Sequence, residues 1–208
     1  MNLPASKGNM ALIIKKNDVD SAEKTAQYLS EGKITIIPTD TVYGFSGIVD
    51  LSSNKNIYET DSLIRSIKGR EENKPLIQLI SSVNEIEKYA DEEMPLQLKK
   101  YWPGALTVIL KCKNELFRNN YNTIAFRCPG DLWLRQVISF CDAPVFSTSV
   151  NKSGCPVLDN IPAIVKEFSS QVSLIVDDGE RKKSIPSTLV KIEDGKIVVL
   201  RQGAVKID

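Results

Sequence analysis

The chain has 208 residues, 42% hydrophobic and 25% charged, with a formal net charge of +1. That length suits one domain with a substantial core, and the balanced charge gives no general pull towards a polyanion. There is no histidine, which excludes imidazole acid–base chemistry, a Cys–His nucleophile and any zinc set that needs His.

No apolar run approaches the roughly 20 residues of a membrane-spanning helix. Met1 to Gly8 holds no apolar signal core, and residues 1–10 read as a loose tail ahead of one domain over 11–208. Cys112, Cys128, Cys141 and Cys155 show no C-x-x-C spacing and read as reduced thiols of a cytoplasmic protein.

Asp20 to Glu31 carries Ala22, Thr25, Ala26 and Leu29 at helical spacing, and Gly32 stands where the helix stops. The β-branched run Ile34 to Ile37 predicts a buried strand. It breaks into Pro38-Thr39-Asp40-Thr41-Val42-Tyr43-Gly44, which places polar groups at a strand's carboxyl end, where open α/β sheets bind ligands. Thr39 and Thr41 are two residues apart, so in extended chain their hydroxyls point the same way. Asn54 to Ile67 repeats Ile57, Ile64 and Ile67 on one helical face and ends at Lys68-Gly69-Arg70. Pro75 to Ile80 is a strand, and Asn84 to Tyr101 is one helix or two short ones divided at Pro95. Ala105 to Leu110 and Thr123 to Cys128 are strands, Leu132 to Cys141 a helix, and Ala143 to Ser147 a strand. Ile161 to Phe168 is a short helix and Val172 to Val176 a strand. Thr188 to Ile192 and Ile197 to Leu200 form a hairpin about Glu193-Asp194-Gly195-Lys196. Alternating strands and helices predict an α/β fold, and the closing hairpin makes the sheet mixed.

Lys68 and Arg70 flank a glycine and can converge on a polyphosphate. Alone, they read more readily as solvated charges at a helix C-terminus. Ser147-Thr148-Ser149-Val150-Asn151-Lys152-Ser153-Gly154 follows a strand and offers a backbone nest for phosphate or carboxylate oxygens, or an ordinary polar turn. It lacks the P-loop pattern. Arg127 ends a strand, where a half-buried cation needs an anionic partner. Pro186-Ser187-Thr188 opens the hairpin and Arg201-Gln202-Gly203 closes it; singly, each is an ordinary strand terminus. Trp102 and Trp133 read as core or edge aromatics.

Taken in order, PTDTVYG, KGR-x3-KPL, WPGALTVIL, TIAFR, STSVNKSG, PST and LRQGA closely resemble the YrdC/TsaC family, the threonylcarbamoyl-AMP synthases. The resemblance spans roughly residues 12–205, in the short single-domain form. It implies a twisted, open mixed α/β sheet flanked by helices, with a large, concave, positively charged cavity. It implies synthesis of L-threonylcarbamoyladenylate from L-threonine, bicarbonate or CO2, and ATP, with release of pyrophosphate, for threonylcarbamoyladenosine modification of tRNA. By the same resemblance Thr39, Arg127, Ser147 and Ser187 hold threonine. Lys68, Arg70, Thr123, Ser149, Asn151 and Arg201 hold ATP. Lys68 and Arg70 carry the catalytic electrostatics from the cavity wall, and Asp40 has a structural role. Mg2+ is expected with the triphosphate, held mainly by phosphates and water. The product is expected to pass to the tRNA threonylcarbamoyltransferase machinery, and no membrane partner is implied.

Several positions depart from the family pattern. Phe45-Ser46-Gly47 follows Gly44 where G-L-G is common, and a short insertion falls around Leu51 to Asn56. Leu79 stands where many longer members carry a threonine-contacting His. Lys152 and Cys155 fall within the nucleotide loop. An RNA-binding module and a paralogue without synthase activity remain as alternatives; no basic stretch interleaved with aromatics supports the first. Gly69 to Lys74 is expected to be a mobile segment near the site.

Overall fold

A computed structural model of the chain describes residues 10–69, 76–118, 122–182 and 184–207. The expectations for the tail and for Arg70 to Lys74 fall on residues outside that set, save Met10.

The described strands form one mixed sheet. They are β1 (Leu12–Lys15), β2 (Thr35–Ile37), β3 (Gly44–Ile48), β4 (Ile77–Leu79), β5 (Leu106–Lys111), β6 (Thr123–Arg127), β7 (Val145–Ser149), β8 (Leu174–Asp177), β9 (Thr188–Glu193) and β10 (Lys196–Arg201). Their spatial order is β1-β8-β2-β3-β7-β4-β6-β5-β9-β10. The pairs β1–β8, β2–β8, β4–β6 and β5–β9 run parallel, and the other neighbours are antiparallel. The helices are α1 (Ser21–Ser30), α2 (Thr60–Lys68), α3 (Ile86–Tyr89), α4 (Leu96–Lys99), α5 (Leu132–Cys141) and α6 (Ile161–Phe168).

Side chains alternate across a strand, so each face of the sheet builds its own core. On one face, Ile36, Phe45, Phe126, Phe146 and Ile175 pack with Ile64 of α2, Leu98 of α4 and Ile164 and Phe168 of α6. On the other, Ile37, Ile48, Leu79, Val145 and Leu174 pack with Ala22, Ala26 and Leu29 of α1 and with Leu134, Val137 and Ile138 of α5. Along β7 and β4, Ser147 and Ile77 share that second face with Val145 and Leu79. Beyond the cover of α1 and α5 it is bare, and there it lines a cavity. A sheet wider than its helical cover thus makes the concavity.

The alternation signal located most strands, and the helix over 84–101 resolves into two short pieces, with Pro95 capping the second. Strand β1, ahead of the first element read from the sequence, is an addition, and three further local readings change. The helix expected from Asn54 begins only at Thr60. Glu59 is left-handed at φ 50°, and the Asp50 carboxylate accepts the N–H groups of Tyr58 at 3.0 Å and Glu59 at 2.7 Å. These contacts fix an irregular approach and leave Ile57 exposed. Strand β3 was not anticipated because its two glycines read as turn residues; a Cβ on Gly47 would lie 2.6 Å from the Cβ of Thr60, so glycine lets α2 dock on the sheet. Finally, Ser147-Thr148-Ser149 is strand rather than nest. It continues β7, pairing Ser147 with Ser46 and Ser149 with Gly44.

Candidate active site

The cavity measures about 210 Å3. Thr39, Arg127, Ser147, Ser149, Ser187 and Arg201 all line it, although they come from five separate stretches of chain. Thr41 and Thr148 join them, with Val42, Val157 and Pro186 as an apolar wall.

Where β2 ends, the chain turns rather than continuing extended. The Thr41 N–H donates to Thr39 Oγ1 at 3.0 Å, and that hydroxyl donates to the Val42 carbonyl at 2.7 Å. The two threonine hydroxyls still converge, 2.9 Å apart, through the turn. If Thr39 gives its one proton to Val42, Thr41 must donate to it, and both Thr39 lone pairs are filled. Thr41 Oγ1 then accepts from Arg127 Nη1 at 2.9 Å and keeps one lone pair open.

Arg127 is 4% exposed at the end of β6. Its Nε donates to the Gly104 carbonyl at 3.1 Å and its Nη2 to Asp40 Oδ1 at 2.5 Å. Asp40 Oδ2 accepts the Gly130 N–H at 2.8 Å. The carboxylate is therefore the counter-ion of a buried guanidinium, as its structural reading expected. Three of the five guanidinium N–H donors are used within the protein, leaving two for a ligand.

Across the cavity, the Arg201 guanidinium caps the opening of β9. Nη2 donates to the Ser187 carbonyl at 2.9 Å and to Ser187 Oγ at 3.2 Å, and Ser187 Oγ meets Thr107 Oγ1 at 2.7 Å. Among the described residues no carboxylate pairs with Arg201. Its partial burial, and then the like charge of Arg127, hold its pKa below the ordinary arginine value. Two cations facing one cavity attract an anion into it.

Lys68 is not on the cavity wall but behind it, 3% exposed at the end of α2. Its ammonium donates to the Ser149 carbonyl, to the Asn151 carbonyl at 2.9 Å and to Asn151 Oδ1 at 3.0 Å. Asn151 Oδ1 also accepts the Ser149 hydroxyl at 2.7 Å. Asn151 Nδ2 donates to the carbonyls of Lys152 and Cys155 at 2.9 and 2.8 Å. The K-x-R and S-x-N motifs thus meet at Lys68, which fixes the loop after β7. Lys152 adds a second tie, from its Nζ to the Ile67 carbonyl at 2.5 Å.

Thr123 lies further out along β6, exposed, opposite Lys111 and outside the lining residues. Arg70 lies outside the described residues. Leu79 stands beside Arg127 but is 1% exposed, sealed by the core under α5. Among the described residues no cluster of three or more Cys, Asp or Glu side chains is placed to hold a metal, and both Asp40 oxygens are engaged. Hydroxyls and carbonyls fit Mg2+ only as an ion carried on nucleotide phosphates.

Residues 27–203 match the family model for Sua5, YciO and YrdC proteins, described as telomere recombination. The chain belongs to this family. It is 34% identical to a putative threonylcarbamoyl-AMP synthase of Methanocaldococcus jannaschii, over 96% of this chain and 95% of that protein. It is 30% identical to the threonylcarbamoyl-AMP synthase of Pyrococcus abyssi over 88% of its length, but spans only 54% of that relative. Pyrococcus abyssi Sua5 complexed with L-threonine has the same fold, with a TM-score of 0.79 at 27% identity, covering 94% of this chain and 58% of that one. Of the residues singled out in the sequence, Thr39, Arg127, Ser147, Ser149, Ser187 and Arg201 line one cavity of this fold, whereas Lys68, Asn151 and Thr123 lie outside its lining.

Proposed function

We propose that the protein is an L-threonylcarbamoyladenylate synthase, using L-threonine, bicarbonate or CO2, and ATP, and releasing pyrophosphate. One observation carries the reading. Arg127 and Arg201 face a single hydroxyl-lined cavity whose rim is the loop that Lys68 fixes.

Threonine enters with its carboxylate on the two remaining N–H donors of Arg127. The hydroxyls of Thr41, Ser147 and Ser187 surround its amine and side chain, with Thr39 holding Thr41 in place. The amine adds to CO2 and loses a proton, giving a carbamate. A carbamate oxygen then attacks the α-phosphorus of ATP in line, and the bond to pyrophosphate breaks. Neither step needs an imidazole; the second depends on alignment and on neutralising phosphate charge. Arg201, Ser149, Asn151 and Thr123 serve the nucleotide side. Lys68 and Arg70 supply positive charge to the phosphates, Lys68 from its buried seat. Mg2+, held by the triphosphate and water rather than by side chains, would neutralise part of the phosphate charge. The product would serve tRNA threonylcarbamoylation.

Incubating the protein with ATP and bicarbonate, with and without threonine, tests the reading. We expect pyrophosphate release that depends on threonine and a product carrying the threonine carbon skeleton on AMP. Release that ignores threonine, or none, refutes it. RNA binding that ATP does not displace would point to the RNA-binding alternative instead.

A further inference from the structure

We propose that Arg181 is a positioning residue for the threonine half of the cavity, acting through the turn at Thr39; the inference rests on the synthase reading above. Arg181 belongs to the connection between β8 and β9, remote in sequence from the PTDTVYG segment. It does not line the main cavity. It borders a smaller adjoining one of about 110 Å3, with Tyr43, Asp159 and Ser184.

Its side-chain contacts converge on the turn and its supports. Arg181 Nη1 donates to the Thr39 carbonyl at 2.6 Å, and Nη2 donates to the Asp178 carboxylate. The guanidinium carbon lies 5.7 Å from the Tyr43 ring centroid. Tyr43 is fully buried; its hydroxyl donates to the Gly179 carbonyl at 2.8 Å and accepts the Asp178 N–H at 2.9 Å. The strap after β8 is therefore bound to both ends of the Thr39–Tyr43 turn. Behind it, Asp178 pairs with Lys16 at 3.2 Å, and Lys16 pairs at 2.6 Å with Asp131, the N-cap of α5.

A peptide plane has only two soft torsions on either side. Holding the Thr39 carbonyl fixes the plane that leads into Asp40 and Thr41. Those two side chains grip Arg127, which in turn receives the threonine carboxylate in the proposed function. The order of influence runs from Arg181 to Thr39, then to Asp40 and Thr41, then to Arg127. No link in it is hydrogen-bonded to a residue assigned to the nucleotide side, so disturbance at Arg181 should separate the two substrates.

The test compares Arg181→Ala and Arg181→Lys with the parent protein in steady-state pyrophosphate release, alongside hydrogen exchange without substrates. Arg181→Ala should raise the threonine KM about tenfold, the scale of one charge-assisted hydrogen bond. The ATP KM and kcat should stay within about twofold. Arg181→Lys keeps one charged donor and should recover part of the loss. The Thr41 amide, bonded to Thr39 Oγ1, should exchange about tenfold faster in Arg181→Ala, while amides of the β5–β6 pair stay unchanged. An unchanged threonine KM in an active parent overturns the proposal. So does a loss shared by threonine, ATP and kcat, because that is general disruption. If the parent shows no threonine-dependent release, the synthase reading fails. The exchange at Thr41 then still decides whether Arg181 holds the turn.

Discussion

The Asp40–Arg127 pair offers a direct measure of how the cavity keeps a cation underground. Arg127 has a side chain 5% exposed and Asp40 one 19% exposed, joined at 2.5 Å. Removing one partner of a fully buried pair costs about 3–5 kcal/mol, because the other charge stays desolvated. Here the cavity admits water to the guanidinium, so Asp40→Ala should cost about 2–3 kcal/mol. At this chain length that corresponds to a fall in Tm of roughly 4–12 °C. Arg127→Ala strands a more exposed carboxylate, which water rescues, and should cost less on charge grounds. The double variant should recover most of the charge penalty, giving a coupling energy of about 2 kcal/mol. Denaturant titration of the four proteins measures it. Repetition at high salt should leave the coupling nearly intact, because screening acts weakly on buried pairs. Additivity within about 0.5 kcal/mol would refute the account of Asp40 as the counter-ion.

Lys68→Met keeps the stem above the Phe45 ring, which the ammonium approaches to 5.3 Å, but removes the donors to Ser149 and Asn151. We expect a loss of about 2–4 kcal/mol, the scale of several hydrogen bonds from a charged group, and a marked fall in turnover per folded molecule. A Tm and turnover like the parent's would remove Lys68 from both roles. Gly203→Ala puts a Cβ 2.2 Å from the Pro186 carbonyl oxygen and 2.4 Å from the Ser187 carbonyl carbon. Backbone cannot yield there, so it should destabilise by about 1–3 kcal/mol and weaken ATP through displaced Arg201 and threonine through displaced Ser187; unchanged KM values for both would count against that. Burial pushes the Cys128 thiol up to about 11 and the Cys141 thiol up to about 12, and raises Cys112 as well. Only Cys155 is exposed, so alkylation near pH 8 should label one thiol quickly in the native protein and all four in denaturant. Rapid labelling of a second native thiol would contradict the burial of the others.

Periodicity exposed the parts of the fold whose side chains speak for one face. Ile34 to Ile37 and Thr123 to Cys128 read as strands because β-branched and aromatic residues fill them. Strand β3 was hidden because Gly44 and Gly47 serve close approach, a tertiary need that local patterning does not record. The start of α2 was misplaced because Ile57 matches the helical stripe, while Asp50 holds the chain in another path from eight residues away. In the site, Thr39, Arg127, Ser147, Ser149, Ser187 and Arg201 share one cavity, but Lys68 and Thr123 stand outside its lining, and the division of labour does not follow from spacing. Nothing in K-G-R reveals that Lys68 points back into the loop after β7. Nothing in PTDT reveals that Thr39 has a full set of partners while Thr41 has a lone pair to offer. Arg181 carried no motif at all; only its placement over the Thr39 carbonyl marks it.

The sheet topology explains why the functional residues are scattered in short pieces. The cavity crosses neighbouring strands that are far apart in the chain: β7, β4, β6, β5 and β9 in spatial order. Each strand crosses the cavity briefly and contributes mainly alternate residues, so a motif of two or three side chains is all that one strand delivers. Arg127 and Arg201 arrive on β6 and β10, from separate stretches of chain. The first is neutralised by Asp40, while the second keeps its charge against desolvation and the first cation's field. An anion bound between them would offset both penalties at once. In the proposed reaction a histidine would add a group that titrates near neutrality to a site that relies on fixed charge and alignment, which guanidinium, ammonium and hydroxyl can supply.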